Sequence, residues 1–280
     1  MMERANHSSL FAESDESEVS RNKRSIPWIR LEDALHTEGC PICAIVNNSA
    51  RRHLISLLYE YVLDVSVRKR LHASFGFCNH HAWLAKEVEH ELHSDGQHLG
   101  TLHETVAQLE LHKLKEAAAV KRPKKRKGFW FKNDEIDPIV RRLDKTIAPS
   151  DECLVCRGDR RTEEFFASQC VLMYADEEFR ALYESEIVMP CRPHFICVVR
   201  ESCEPNEIDY FLGQQIAKVE RLSTRLTLFL ERHAVERSNE PRGSEWQSWL
   251  KALEHFSCKQ GVERLWDSSV YHAPTTKGNN

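Results

Sequence analysis

At 280 residues the chain is long enough to bury a core in one or two domains. Its 41% hydrophobic and 29% charged residues exclude a disordered or membrane-embedded protein, and a formal net charge of -4, spread along most of the chain, singles out no class of partner. The longest apolar runs, Leu54 to Leu63 and Leu226 to Leu230, are broken by Ser, Glu or Thr and fall short of a membrane span, so no membrane association is expected.

In chain order, residues 1–26 read as a disordered tail. Met1 to about Arg24 is rich in Ser, Glu and Asn and lacks the apolar core of a signal peptide, so a cytoplasmic location is expected. An amphipathic helix follows near Pro27 to His36 and opens a first helical repeat, 27–118. Within it Leu54, Leu58, Tyr61 and Val62 recur at helical spacing, and Asp64 is a good N-cap for a helix carrying Val67, Leu71 and Phe75. Trp83, Leu84, Val88 and Leu92 form a further stripe, as do Leu99, Leu102, Val106 and Leu109. Residues 119–135 read as a basic linker, and a short helix is predicted around Ile139 to Ile147. A second repeat, 136–238, has Asp176 starting a short helix and a stripe of Leu212, Ile216, Val219, Leu222 and Leu226. Residues 239–272 form a C-terminal capping region, in which Ser244 caps a helix with Trp246, Trp249, Leu250 and Leu253 on its apolar face; 273–280 read as a tail. Strand-like alternation is hard to find, so the predicted fold class is all-α, an internally duplicated helical bundle.

The cysteines carry the duplication. Two Cys-x-x-Cys pairs, Cys40/Cys43 and Cys153/Cys156, are each followed by a Cys-x-x-His pair, Cys78/His81 and Cys191/His194. All four positions of the first set lie 113 residues before their counterparts, and the same offset carries Tyr61 onto Tyr174, Leu99-Gly100 onto Leu212-Gly213, Val106 onto Val219 and Leu109 onto Leu222. Self-similarity at one fixed offset marks a duplicated unit.

Ten cysteines in a reducing compartment favour metal or redox roles over disulfides. Three thiolates and one imidazole suit tetrahedral zinc, and two ligands separated by two residues can turn toward one ion at a helix start. The expected sites are Cys40/Cys43/Cys78/His81 and Cys153/Cys156/Cys191/His194, each clipping its own half closed. His80 competes with His81, but the repeat frame matches His81 to His194 and His80 to Pro193, which selects His81. Cys170, Cys197, Cys203 and Cys258 read as small buried hydrophobes. An iron-sulfur cluster with one histidine ligand, or dithiol redox chemistry, stays open at the same positions.

Other candidates are weaker. Lys121, Arg122, Lys124, Lys125, Arg126 and Lys127, followed by Phe129, Trp130 and Phe131, have the ingredients for phosphate contact and base stacking, though linkers of this composition are usually solvated. Glu87 and His90 make one half of a di-iron motif, but Arg200 and Cys203 stand at the repeat positions. No phosphate-binding loop, nucleophile elbow or zinc-protease helix occurs, and a four-ligand metal site has no position for substrate, which leans away from an enzyme.

Gly39-Cys40-Pro41-Ile42-Cys43, the stretch Gly76-Phe77-Cys78-Asn79-His80-His81-Ala82-Trp83-Leu84, the Leu99-Gly100 pair and Trp246-x-x-Trp249-Leu250-x-Ala252-Leu253 together resemble an uncharacterised family of helical bacterial and archaeal proteins, catalogued only as a domain of unknown function. The resemblance runs from about Pro27 to Trp266. Cys153-Leu154-Val155-Cys156 departs from the Cys-Pro form of the first unit. The resemblance implies metal sites and no activity, so the expected role is a zinc-binding interaction or regulatory module with a protein partner.

Overall fold

The computed structural model describes residues 25–92, 96–119, 142, 145–232 and 243–259. The N-terminal tail up to residue 24, the basic run of the linker, most of the helix expected around Ile139 to Ile147 and the tail from 273 lie outside the described residues. Among the described residues the protein is all-helical, with ten α-helices and no strand; a single bridge joins Gly39 to Val188. The helices are α1 (Ile26–Leu35), α2 (Pro41–Glu60), α3 (Val65–Ala73), α4 (Asn79–Leu92), α5 (Gln97–Ala118), α6 (Leu154–Met173), α7 (Glu177–Glu184), α8 (Arg192–Glu201), α9 (Pro205–Arg232) and α10 (Ser248–Ser257), with a 3-10 turn at Ser244–Gln247 before α10. None is long and apolar enough to cross a membrane.

The chain divides into two units. Unit 1 takes the described residues up to Asn47 and from Glu163 onward, and unit 2 is Asn48–Thr162. The boundaries fall inside α2 and α6, so the units cut across the segments 27–118 and 136–238 distinguished on the sequence.

In unit 2 the core gathers Leu54, Leu57 and Leu58 of α2, Val67 and Leu71 of α3, Ala85 and Val88 of α4, and Leu102 and Val106 of α5, with Leu154 and Val155 at the start of α6. Asp64 caps α3 by accepting from the Val67 amide at 2.9 Å, which satisfies one of the orphan N–H groups of the first turn. That helix ends where Gly76, at φ 98°, donates its amide to the Leu71 carbonyl, a left-handed stop for which glycine carries no Cβ penalty. Trp83, predicted to face inward, stands 63% exposed, because Ala85 and Val88 already fill the inner face of α4.

Unit 1 packs Trp28, Leu31 and Leu35 of α1 with Phe166 and Met173 of α6, Phe179 and Tyr183 of α7, Val198 of α8 and Phe211 of α9. Asp176 caps α7 by accepting from the Phe179 amide at 3.0 Å. Two predicted faces are corrected here. On α9 the buried positions are Phe211, Gln215, Lys218 and Leu222, while Leu212 and Ile216 are exposed. Polar side chains turn inward because acceptors await them: Gln215 donates to the Pro190 carbonyl at 3.1 Å, and Lys218 Nζ donates to the carbonyls of Ser185 and Val188 at 3.0 and 2.8 Å. Those bonds secure the irregular segment that leads into Cys191, whose carbonyls would otherwise be buried without donors. On α10 the inward residues are Ser248 and His255, with Trp249, Leu250 and Leu253 half-exposed, and Ser244 opens the 3-10 turn without capping it by its side chain. His255 Nδ1 lies 3.2 Å from the Pro190 carbonyl, so it braces the same segment.

Candidate metal centres

Each of the four motif pairs sits at a helix start. Cys40 precedes α2 and Cys43 lies in its first turn; Cys78 and His81 stand likewise at α4, Cys153 and Cys156 at α6, and Cys191 and His194 at α8. The exposed amides and positive dipole end of a helix start favour thiolate there. Cys78 shows the geometry directly, its sulfur accepting from the His81 amide at 3.5 Å.

In unit 1 the Gly39 amide donates to the Ile187 carbonyl and the Met189 amide to the Gly39 carbonyl, both at 2.9 Å. This bridge lays the approach to Cys40 beside the approach to Cys191. Gly39 has φ 106°, a conformation that a side chain would strain. In unit 2 the Ala73 carbonyl accepts from the amides of Ser150 and Asp151 at 2.8 and 3.2 Å, which ties the end of α3 to the chain entering Cys153.

The result is two clusters, Cys40/Cys43/Cys191/His194 in unit 1 and Cys78/His81/Cys153/Cys156 in unit 2, each with its four donor atoms within 4.8 Å of one another. All eight predicted ligand residues fall within these two clusters, but the predicted grouping is corrected: each Cys-x-x-Cys lies with the Cys-x-x-His of the other half of the sequence. The physical reason lies in α2. A helix rises about 1.5 Å per residue, so the 20 residues of α2 carry the chain about 30 Å from one end to the other. Val67 and Leu71 of α3 then pack with Leu54, Leu57 and Leu58, in the later turns of α2 rather than at the helix start that carries Cys43.

The spacing suits one tetrahedral ion per cluster. Bonds of about 2.3 Å to sulfur and about 2.0–2.1 Å to nitrogen imply edges of about 3.8 Å between sulfurs and about 3.5 Å from sulfur to nitrogen. In unit 1, His194 Nδ1 lies 3.4, 3.3 and 3.2 Å from the sulfurs of Cys40, Cys43 and Cys191, and Cys43 is 3.7 Å from Cys191. In unit 2, His81 Nδ1 lies 3.2, 3.8 and 3.3 Å from Cys78, Cys153 and Cys156, and Cys156 is 3.6 Å from Cys78.

Both imidazoles turn Nδ1 to the sulfurs and Nε2 to a carboxylate. His81 Nε2 lies 2.9 Å from Asp159 Oδ2, and His194 Nε2 lies 3.3 Å from Glu163 Oε1. Such a partner fixes ring orientation and raises the basicity of a ligating histidine. Burial favours the neutral ring, yet Asp159 with the sulfurs of Cys153 and Cys78 pushes His81 up to about 11. His194 is pushed up to about 10, against burial, by Cys40 and Glu163. One sulfur in each cluster is held low: Cys40, against burial, by Cys191, Cys43 and His194, and Cys153 by Cys156 and Cys78. Three thiols are pushed up, Cys156 by Cys153 and Cys78, Cys191 by burial and Cys258, and Cys43 by Cys258 and Cys40 despite the hydrogen bond from Cys191. Without an ion, protons hold the donors together, and a cation would replace them.

Asp159 and Glu163, the carboxylates beside the two imidazoles, are candidate site positions that sequence reasoning missed. Their signal was present: Cys156, Asp159 and Glu163 follow at i, i+3 and i+7 on α6. Among the unrepeated cysteines, Cys170 and Cys197 are buried as expected, Cys203 is exposed, and Cys258 is buried against the unit 1 cluster.

Among the described residues, fold and site together define an all-helical protein with two clusters of three cysteines and one histidine that could each hold a metal ion. Over residues 22–243 the chain matches the model of a family of unknown function (DUF6062), and it belongs to that family. No curated protein and no solved structure matches it.

Proposed function

We propose that the protein is a zinc-stabilised helical module of the cytoplasm, non-enzymatic, that serves as an interaction or regulatory element. The observation that carries the metal reading is that donors 148–154 positions apart in unit 1, and 72–78 apart in unit 2, converge at near-tetrahedral spacings with a carboxylate behind each imidazole. Soft thiolate with imidazole in a four-donor set suits zinc, and a full set leaves no coordination position for water or substrate. The 113-residue offset of the motifs supports descent from one duplicated unit whose copies exchanged ligand pairs.

Elemental analysis of the untagged protein tests this reading. Two zinc ions per chain, with loss of helical structure on chelation, are expected, because binding free energy at a structural site is folding free energy. Iron with matching sulfide would replace zinc by a cluster, and metal-free protein with unchanged unfolding on chelation would remove the reading altogether.

A further inference from the structure

The unit 1 cluster has a fourth sulfur beside it. Cys258 Sγ lies 3.6 Å from Cys191 Sγ and shares a hydrogen bond with Cys43. It is buried at the C-terminal end of α10, in the positive-φ region at 70°. An ion held by Cys40, Cys43, Cys191 and His194 leaves Cys258 in contact with a ligand yet without a place on the metal. Unit 2 has no counterpart: its cysteines are Cys78, Cys153 and Cys156, all in the cluster, and the offset that relates the motifs carries Cys258 back onto Lys145. A cavity of about 340 Å³ in unit 1 is walled partly by Gly39 and Lys259, which adjoin Cys40 and Cys258 in the sequence.

We propose that Cys191 and Cys258 are a disulfide-forming pair through which a hydroperoxide opens the unit 1 metal site while the unit 2 site stays loaded. The idea rests on the metal reading above. In the first step the Cys258 thiolate attacks the terminal peroxide oxygen, the O–O bond breaks, and sulfenic acid forms with release of hydroxide or alkoxide, which takes a proton from solvent to become water or alcohol. In the second the Cys191 sulfur leaves the ion and attacks the sulfenic sulfur, so that the S–S bond forms and hydroxide departs as water. Two thiolates give up two electrons to the O–O bond, and two protons from solvent complete the leaving oxygens as water, or as water and alcohol. Three donors remain on the ion, and the clip opens.

The test uses the full chain loaded with zinc, treated with hydrogen peroxide beside a chromophoric zinc chelator, then alkylated and mapped by peptide mass spectrometry. Expected are fast release of one of two zinc ions, a Cys191–Cys258 disulfide, and release slowed roughly tenfold or more in Cys258→Ser. Cys258→Gly, which suits the positive φ, should slow it equally, so a folding defect in the serine variant is separable. Release at the parental rate in both variants, or a disulfide joining another pair such as Cys170 with Cys197, would overturn the proposal. Fewer than two zinc ions at the start would instead count against the metal reading, and mapping of the oxidised protein would still decide the cysteine pair.

Discussion

Substituting ligands two at a time separates the crossed arrangement from one closed within each half of the sequence. Cys40→Ser and Cys191→Ser strike one cluster, whereas Cys40→Ser and Cys78→Ser strike two. An ion in unit 1 bridges positions 148–154 apart, and one in unit 2 bridges positions 72–78 apart. Treated as cross-links that restrict the unfolded chain, they are worth about 5 and about 4.5 kcal/mol. The first substitution in a cluster should therefore cost several kcal/mol. A second in the same cluster should add little, since the clip is already open, and a second in the other cluster should cost several more. Metal content per chain and thermal unfolding read the outcome together. Cys40→Ser, Cys191→Ser and their double variant should each keep one ion, and Cys40→Ser with Cys78→Ser should keep none. A Cys40/Cys78 double variant that keeps one ion, beside a Cys40/Cys191 double variant that keeps none, would refute the crossed pairing.

Three further outcomes are expected. Asp159→Ala should weaken zinc binding in unit 2, and Glu163→Ala in unit 1, by about 10–100-fold each; competition with a chelator of known affinity reads this, and equal loss at both sites in either variant contradicts the assignment. Loading of unit 1 should release three protons, from Cys43, Cys191 and His194, because all three are raised in the ion-free protein and His194 stays protonated up to about 10. Affinity must then rise with pH and fall as pH drops through the neutral range, by up to about a thousandfold per pH unit, and an affinity insensitive to pH would contradict it. Lys218→Met leaves the Ser185 and Val188 carbonyls without their donor and should cost about 1–3 kcal/mol in thermal unfolding. Burial lowers Lys218 to about 8 from 10.5, so the folded form sheds its proton first, and its contribution to stability rises with pH across that window; the slope should vanish in the variant.

The eight cluster residues and the helical class were readable because their signals are local. Cys-x-x-Cys and Cys-x-x-His spacings are complete within four residues, and Asp64 and Asp176 announce α3 and α7 through one capping bond each. Which pairs meet was not readable, since that depends on the uninterrupted length of α2 and on where α3 packs. The inner face of α9 was misread for a related reason. Periodicity ranks Leu212 and Ile216 above Gln215 and Lys218, and only the carbonyls of Ser185, Val188 and Pro190 reverse that order. Cys258 looked solitary because its partner lies 67 positions away.

X-ray absorption at the zinc edge on the loaded full chain tests the central claim most directly. The account requires an average shell of three sulfurs at about 2.3 Å and one nitrogen at about 2.0–2.1 Å for two ions per chain. A shell dominated by oxygen or nitrogen, or iron-to-iron scattering from a protein that holds no zinc, would contradict it.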